Sequence, residues 1–313
     1  MSLAFVFPGQ GSQAPGMGRD LADAFPIARE TFEEVDEALK QKLSRLIFEG
    51  PAEELTLTAN AQPALMAVSV AVTRVLAKEG GFDLGRQVAL VAGHSLGEYS
   101  ALTAAGCFDL ATAARLLRTR GEAMQAAVPP GEGAMAALLG AEAEQAAAIC
   151  AEAAGGEVLE VANDNGGGQV VVSGAAAAVA RAVEAAKAAG IRRAMMLPVS
   201  APFHCAMMAP AAEVMREALG KAAMAHPAVP VVANVTAAPV SDPDTIRELL
   251  VRQVTGTVRW RECVAAMVAA GCTRFAEIGA GKVLTGLMKR NAPEAQALAL
   301  NTPADIEAFL KSL

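Results

Sequence analysis

The chain predicts an α/β protein: a hydrolase-like core on a parallel sheet, carrying an inserted subdomain. Three observations point there. Apolar runs of five residues at 3–7 and 88–92 have strand length and are apolar on both faces, as buried parallel strands are. The second run meets Gly93-His94-Ser95-Leu96-Gly97, a G-x-S-x-G followed by a small-residue helical stretch. Between residues 134 and 199 the pattern switches to strand, helix, strand, strand, helix, strand, the βαββαβ order of a ferredoxin-like unit.

The bulk numbers agree with a large folded core. The chain has 313 residues, 53% hydrophobic and 19% charged, which suits a globular protein. Its mean hydropathy of +0.35 comes from alanine, and no apolar run approaches the roughly 20 residues of a transmembrane helix. Residues 1–8 lack a basic segment and break at Pro8, so no secretory leader is expected. Five cysteines without a C-x-x-C pair suggest a reduced, cytoplasmic setting. A net charge of −7 argues against nucleic acid as a partner, and three histidines without ligand spacing argue against a metal site.

In chain order, residues 3–7 form the first strand and run into the loop Pro8-Gly9-Gln10-Gly11-Ser12-Gln13. Residues 19–48 are amphipathic and helical, and Asn60-Ala61-Gln62-Pro63 starts a long apolar helix to about Lys78. Strand 88–92 and the G-x-S-x-G turn follow. There Gly93 and Gly97 leave room for a sharp bend with the Ser95 hydroxyl at the carboxyl edge of the sheet.

Residues 110–127 are helical, and Arg120 falls on the apolar face with Ala113, Leu116, Leu117 and Met124. A guanidinium there either meets a carboxylate or phosphate, or packs its stem and sends its head to water; the spacing allows both. Val128-Pro-Pro-Gly-Glu-Gly133 breaks the chain. The insert then comprises strand 134–140, helix 141–154, strands 158–162 and 169–173 around the turn 163–168, helix 175–190 and strand 194–199. Beyond it the core resumes with helix 205–223, strand 229–235, helices 244–254 and 261–270, and strand 274–278. Strand 296–300 and helix 303–313 close it. The boundaries are therefore 1–127 with 200–313 for the core and 128–199 for the insert. Gly281-Lys282 hints at a phosphate loop, but Val283 and Ala276 stand where its hydroxyl and first glycine belong.

A serine hydroxyl needs a base to become a nucleophile. His94 adjoins Ser95 and should point away on a tight bend; His226 precedes Pro227 in a loop. His204, in Ser200-Ala-Pro-Phe-His-Cys205, enters the core directly after the insert and is the candidate base, with a packed loop histidine as the alternative. No acid follows Ser95 in a usable place: Asp109 is too near the bend and Asp164 sits in the insert's turn. His204 is then oriented by a backbone carbonyl or by a partner that cannot be read from the sequence. The oxyanion donors would be the Leu96 N–H and one from the Gly9-Gln10-Gly11 loop.

Phe7-Pro-Gly-Gln-Gly-Ser-Gln13, the Gln62-Pro63 helix start, Gly93-His-Ser-Leu-Gly-Glu-Tyr-Ser100, Arg120, Phe203-His204 and Glu277-Ile-Gly-Ala-Gly-Lys-Val-Leu-Thr-Gly-Leu287 together resemble the malonyl-CoA:acyl carrier protein transacylase family. The resemblance runs the whole chain in order. It implies Ser95 as the acylated nucleophile, His204 as its base, and the backbone N–H groups of Gln10 and Leu96 as the oxyanion hole. It further implies that Arg120 pairs the malonyl carboxylate and that the Gln253 carbonyl orients His204. Phe203, with Leu96, resembles malonyl-selective members; Ala280 departs from the family's frequent proline. The implied substrates are a coenzyme A thioester and a phosphopantetheine-carrying protein, with no bound cofactor or metal and no membrane or nucleic-acid partner. A discrete monomer is expected. An acidic carrier would need a basic patch, for which Lys187, Arg192, Arg193, Lys282, Lys289 and Arg290 are candidates. A serine hydrolase, an acyltransferase serving a polyketide carrier, and a non-catalytic binding subunit are the competing readings.

Overall fold

A computed structural model describes residues 2–199 and 201–313. Met1 and Ser200, the latter the first residue of the His204 stretch and of the second core segment, lie outside the described residues. The strands, in chain order, are β1 (Ser2–Phe7), β2 (Leu90–Gly93), β3 (Gly133–Leu139), β4 (Leu159–Asp164), β5 (Gln169–Ala175), β6 (Arg193–Met196), β7 (Val231–Val232), β8 (Pro239–Val240), β9 (Cys272–Ile278) and β10 (Gln296–Leu300). They make a six-stranded sheet, β10-β9-β1-β2-β7-β8, and a four-stranded sheet, β4-β5-β3-β6. Every pairing in the first is parallel except β7 with β8, and every pairing in the second is antiparallel.

The period of two along β1 explains the layers of the larger sheet. Leu3, Phe5 and Phe7 pack with the helix Thr58–Gly80 on one face, whereas Ala4 and Val6 pack with Trp260, Val264 and Leu284 on the other. Both faces are thus covered, as a parallel sheet requires. The smaller sheet has a separate core, with Leu138 and Val172 against helices Ala143–Ala153 and Ala176–Ala188. The two units are joined by backbone bonds between Asp164 and Val258 (3.0 Å) and between Val258 and Ala162 (2.9 Å), and by the Arg261–Asp164 ion pair at 2.8 Å.

Several elements differ from the sequence expectation for identifiable reasons. The stretch 19–48 is three helices: Arg19–Ala24, Pro26–Leu39 and Leu43–Glu49. Phe25 is extended, as a residue before proline prefers, and Lys40 turns left-handed at φ 51°. The long helix starts at Thr58 and carries Pro63 inside its second turn, where only one backbone hydrogen bond is forgone. The segment 229–235 pairs only at Val231–Val232, because the Asn234 N–H goes to the Glu98 carboxylate instead of to a neighbouring strand. The last insert strand ends at Met196; Leu197 still donates its N–H to the Met135 carbonyl of β3 (2.9 Å), and it lines a cleft together with Pro198 and Val199. The Glu277 carboxylate accepts the N–H groups of Leu284 (3.1 Å) and Thr285 (2.7 Å), so the Gly281-Lys282 loop is held as the start of helix Val283–Asn291.

Candidate active site

Ser95 follows directly from β2, whose last residue Gly93 is in register with Phe7. It takes φ 53°, a left-handed conformation that costs a non-glycine residue of order 1–3 kcal/mol. The surroundings enforce it. A Cβ on Gly93 would lie 1.8 Å from the Gly97 carbonyl carbon, and one on Gly97 would lie 2.3 Å from the Phe7 carbonyl oxygen. Only glycine at both positions lets strand, bend and helix Gly97–Ala104 pass so close. The bend is pinned from β7's side: the Asn234 side chain accepts the Ser95 N–H at 2.8 Å and donates to the Gly93 carbonyl at 2.7 Å.

His204 reaches this bend from the far side of the insert, also at positive φ (57°). Its Nε2 lies 2.7 Å from Ser95 Oγ, and its Nδ1 lies 2.9 Å from the Gln253 carbonyl and 3.1 Å from the Gly256 carbonyl. Two carbonyl acceptors require the proton on Nδ1, which leaves the Nε2 lone pair for the serine hydroxyl. Burial, helped by the positive charge of Arg120, lowers the imidazole pKa to about 3 against the lift from its carbonyl partners. The ring is therefore neutral near pH 7 and able to accept a proton.

Arg120, on helix Leu110–Ala126, is buried at 1% exposure, yet it lines the cleft beside Ser95. The choice left open by the sequence is decided: its head does not go to water. Nη1 donates to Gln62 Oε1 (2.7 Å), and Nη2 donates to Gln253 Oε1 (2.9 Å) and Ser95 Oγ (3.2 Å). Among the described residues Nε has no partner and no carboxylate contacts the group. The Tyr99 ring lies 5.7 Å from its centre. Helix 110–126 comes close enough to place it because Gly121 lacks a Cβ, which would sit 2.6 Å from the Ala59 Cα.

The cleft has a volume of ≈ 400 Å³ and lies between the two sheets' units. Gln10, His94, Ser95, Leu96 and Arg120 line it from the core; Met135, Asn165 and Val171 do so from the insert. Phe203 is buried beside His204 and also lines it. Among the described residues the backbone N–H groups of Gln10 and Leu96 find no partner within the protein. His94 points away from the serine, as expected: its Nε2 meets Asn165 Oδ1 at 2.8 Å and its ring packs 5.7 Å from Trp260. His226 is remote, bonding the Ser241 carbonyl.

Sequence reasoning missed the residues behind this arrangement. Glu98 is 1% exposed and accepts from the Asn234 N–H (3.1 Å) and Gln253 Nε2 (2.8 Å). Burial pushes its pKa up to about 7, countered by those two donors and by Arg120. A charge in the otherwise apolar start of the helix after the bend was the one legible sign of it. Gln62 stood only in the Gln62-Pro63 helix start, with no role attached to its side chain, and Asn234 gave no sign.

Ser95, His204 and Arg120 thus meet in one cleft, and comparison with known proteins shows the family. A family model described as acyl transferase domain matches residues 4–302. The chain belongs to the acyl transferase domain family. This acyl transferase domain is 49% identical to the malonyl CoA-acyl carrier protein transacylase of Escherichia coli (strain K12), over 99% of each chain. It is 46% identical to that of Bacillus subtilis (strain 168), over 99% of this chain and 97% of the other. Among solved structures it superposes on an acyl-carrier-protein S-malonyltransferase from Bartonella henselae with a TM-score of 0.98, at 56% identity, over 100% and 99% of the two chains. A malonyl-transacylase solved in complex with a type II PKS acyl-carrier protein superposes with a TM-score of 0.96, at 45% identity, over the full length of both. The mixed α/β fold with its parallel sheet is thus the fold of these acyl transferases.

Proposed function

We propose that this acyl transferase domain moves a malonyl group from malonyl-CoA to the phosphopantetheine thiol of an acyl carrier protein, through an ester on Ser95, and so supplies fatty acid synthesis. The observation that carries the reading is the meeting of two groups at one oxygen. Ser95 Oγ lies 2.7 Å from a neutral imidazole and 3.2 Å from a buried guanidinium that no carboxylate contacts. The first makes the hydroxyl a nucleophile, and the second suits an acyl group bearing a negative charge.

In the first step Ser95 Oγ attacks the thioester carbonyl while His204 Nε2 takes its proton. The developing oxyanion is held by the Gln10 and Leu96 N–H groups, where loss of one donor typically costs ~3–4 kcal/mol. Collapse expels the CoA thiolate, which takes the proton back from His204, and a malonyl-Ser95 ester remains. The carrier's thiol then gives its proton to His204 and attacks the ester, and the proton returns to Ser95 as the new thioester leaves. The carbonyls of Gln253 and Gly256 stand in for the absent acid by holding the imidazole tautomer. Arg120 holds the free carboxylate, with Phe203 closing the acyl pocket. No resident cofactor or metal takes part in this scheme.

The finer architecture belongs to the same proposal: a hydrolase-like core over 1–127 and 200–313 and a ferredoxin-like insert over 128–199. The strand order β4-β5-β3-β6 and the separate insert core support it. Lys187, Arg192, Arg193, Lys282, Lys289 and Arg290 are all exposed and are proposed to meet an acidic carrier. Five buried unpaired thiols support a reducing, cytoplasmic setting, and we read the protein as a monomer there.

Incubation with malonyl-CoA is expected to leave one malonyl group on the intact protein, stable until a thiol acceptor is added, as read by mass spectrometry. Release of free malonate without a lasting adduct would favour the hydrolase reading instead.

The pH profile follows from the lowered histidine pKa. A base that loses its proton-accepting form only near pH 3 leaves kcat/KM without a histidine limb between pH 5 and 7. An ordinary histidine would cost about 30-fold at pH 5. Glu98, at about 7, is the other group in the cluster set to titrate near neutrality. An acid limb near pH 6.5 that survives Glu98→Gln would remove His204 from the neutral state assigned to it.

A further inference from the structure

Gln253 enters the scheme above through its backbone carbonyl, but its side chain touches more of the site than any other. It is fully buried on helix Pro243–Thr255. Its Nε2 donates to the Ser95 carbonyl (2.9 Å) and Glu98 Oε2 (2.8 Å), with Asn234 Oδ1 at 3.2 Å. Three oxygen acceptors around one –NH2 leave no choice of amide orientation, because an Oε1 turned toward them would face oxygens only. Oε1 must therefore face the other way, where Arg120 Nη2 donates to it at 2.9 Å.

The geometry points to the Gln253 side chain as a positioning residue for the acyl carboxylate, acting through Arg120. Two neutral amide oxygens, from Gln62 and Gln253, hold the guanidinium beside Ser95 without neutralising it. A carboxylate in either place would form an internal ion pair and compete with the substrate. An apolar residue in place of Gln253 would free Nη2 to shift away from the serine. The charge thus stays available and aimed, while the nearest buried acid, Glu98, is kept behind the amide. The same amide also grips the Ser95–Leu96 peptide. Holding the Ser95 oxygen on one side of that planar unit turns the Leu96 N–H to the other side, toward the cleft. This inference rests on the proposed malonyl transfer and on Arg120 as the carboxylate's partner.

The test uses the full-length protein with malonyl-CoA and acetyl-CoA as donors and compares kcat/KM for each. Gln253→Met keeps the backbone carbonyl that His204 needs. Its malonyl kcat/KM is expected to fall about a hundredfold and its acetyl value about tenfold or less, so the malonyl preference drops about tenfold. In an Arg120→Ala background the same change should leave the preference where it is, since a residue acting through Arg120 has nothing left to position. A merely structural role would lower both donors alike and leave the malonyl preference of the single variant unchanged, and that result overturns the inference. If Gln253→Met does not fold, Gln253→Glu has the same shape and places an anion against Arg120. It should lose the malonyl preference by a similar factor, and a preference that survives it overturns the inference. A wild-type protein without malonyl preference, or an Arg120→Ala variant that keeps it, defeats the underlying reading as well. A selective wild type with a non-selective Arg120→Ala, but fully selective Gln253 variants, defeats only this inference.

Discussion

Ser95→Ala is expected to lower acyl transfer by roughly 10⁶-fold, to a level that no longer depends on His204, with the fold intact. The size follows from the arrangement. In the proposed scheme His204 Nε2, the Gln10 and Leu96 N–H groups and the Arg120 guanidinium all serve an acyl group attached at the Ser95 oxygen, and removing that oxygen leaves them with nothing to act on. What survives is the substrate binding and oxyanion contribution alone. Alanine can occupy the left-handed backbone that serine already occupies, and the Asn234 bond to the residue's N–H does not involve the side chain. The Tm should therefore stay close to wild type. The checks are the steady-state rate of malonyl transfer to carrier protein and the intact mass after malonyl-CoA. A variant that still gained a malonyl group would place the ester on another residue.

Arg120→Ala is expected to lower malonyl kcat/KM by about 10³-fold, equivalent to ~4 kcal/mol, and acetyl kcat/KM by less than tenfold. A carboxylate carried into a closed cleft loses its hydration, and only a charge-assisted pair offsets that loss. Acetyl has no charge to lose, so its transfer never used the pair. Arg120→Lys should recover little. A single ammonium cannot replace two donor nitrogens held by Gln62 and Gln253. Kinetics with the two donors decide it, and equal losses would take Arg120 out of the acyl pocket. A stability gain in Arg120→Ala would not conflict with this. The wild-type guanidinium is buried with Nε unpaired among the described residues, a cost that a site can carry for selectivity.

Much of the site was legible before any coordinates. The G-x-S-x-G bend, the strand into it and the helix out of it follow from local sterics. Gly93 and Gly97 permit the close approaches found there, and that constraint is written within five positions. The helical face holding Arg120 could be read from spacing, and so could the strand and helix order of the insert. The break at Phe25, a residue before proline, was equally open to local reading, whereas the shortness of the strand at Val231–Val232 was not, because the distant Glu98 carboxylate takes the Asn234 N–H.

What the sequence determined by itself, then, was the backbone's local bends, which faces are apolar, and a family resemblance that names the reacting groups. Tertiary structure alone decided how those groups are held. Gln253 meets Ser95 across 158 positions and Glu98 across 155, and Asn234 meets Gly93 across 141. It also decided that Arg120 stays buried and that the Gly256 carbonyl joins that of Gln253 behind His204. The physical reason is one of range. Steric and periodic rules act over a few residues, whereas a buried hydrogen bond depends on which distant atom the closed fold brings to it.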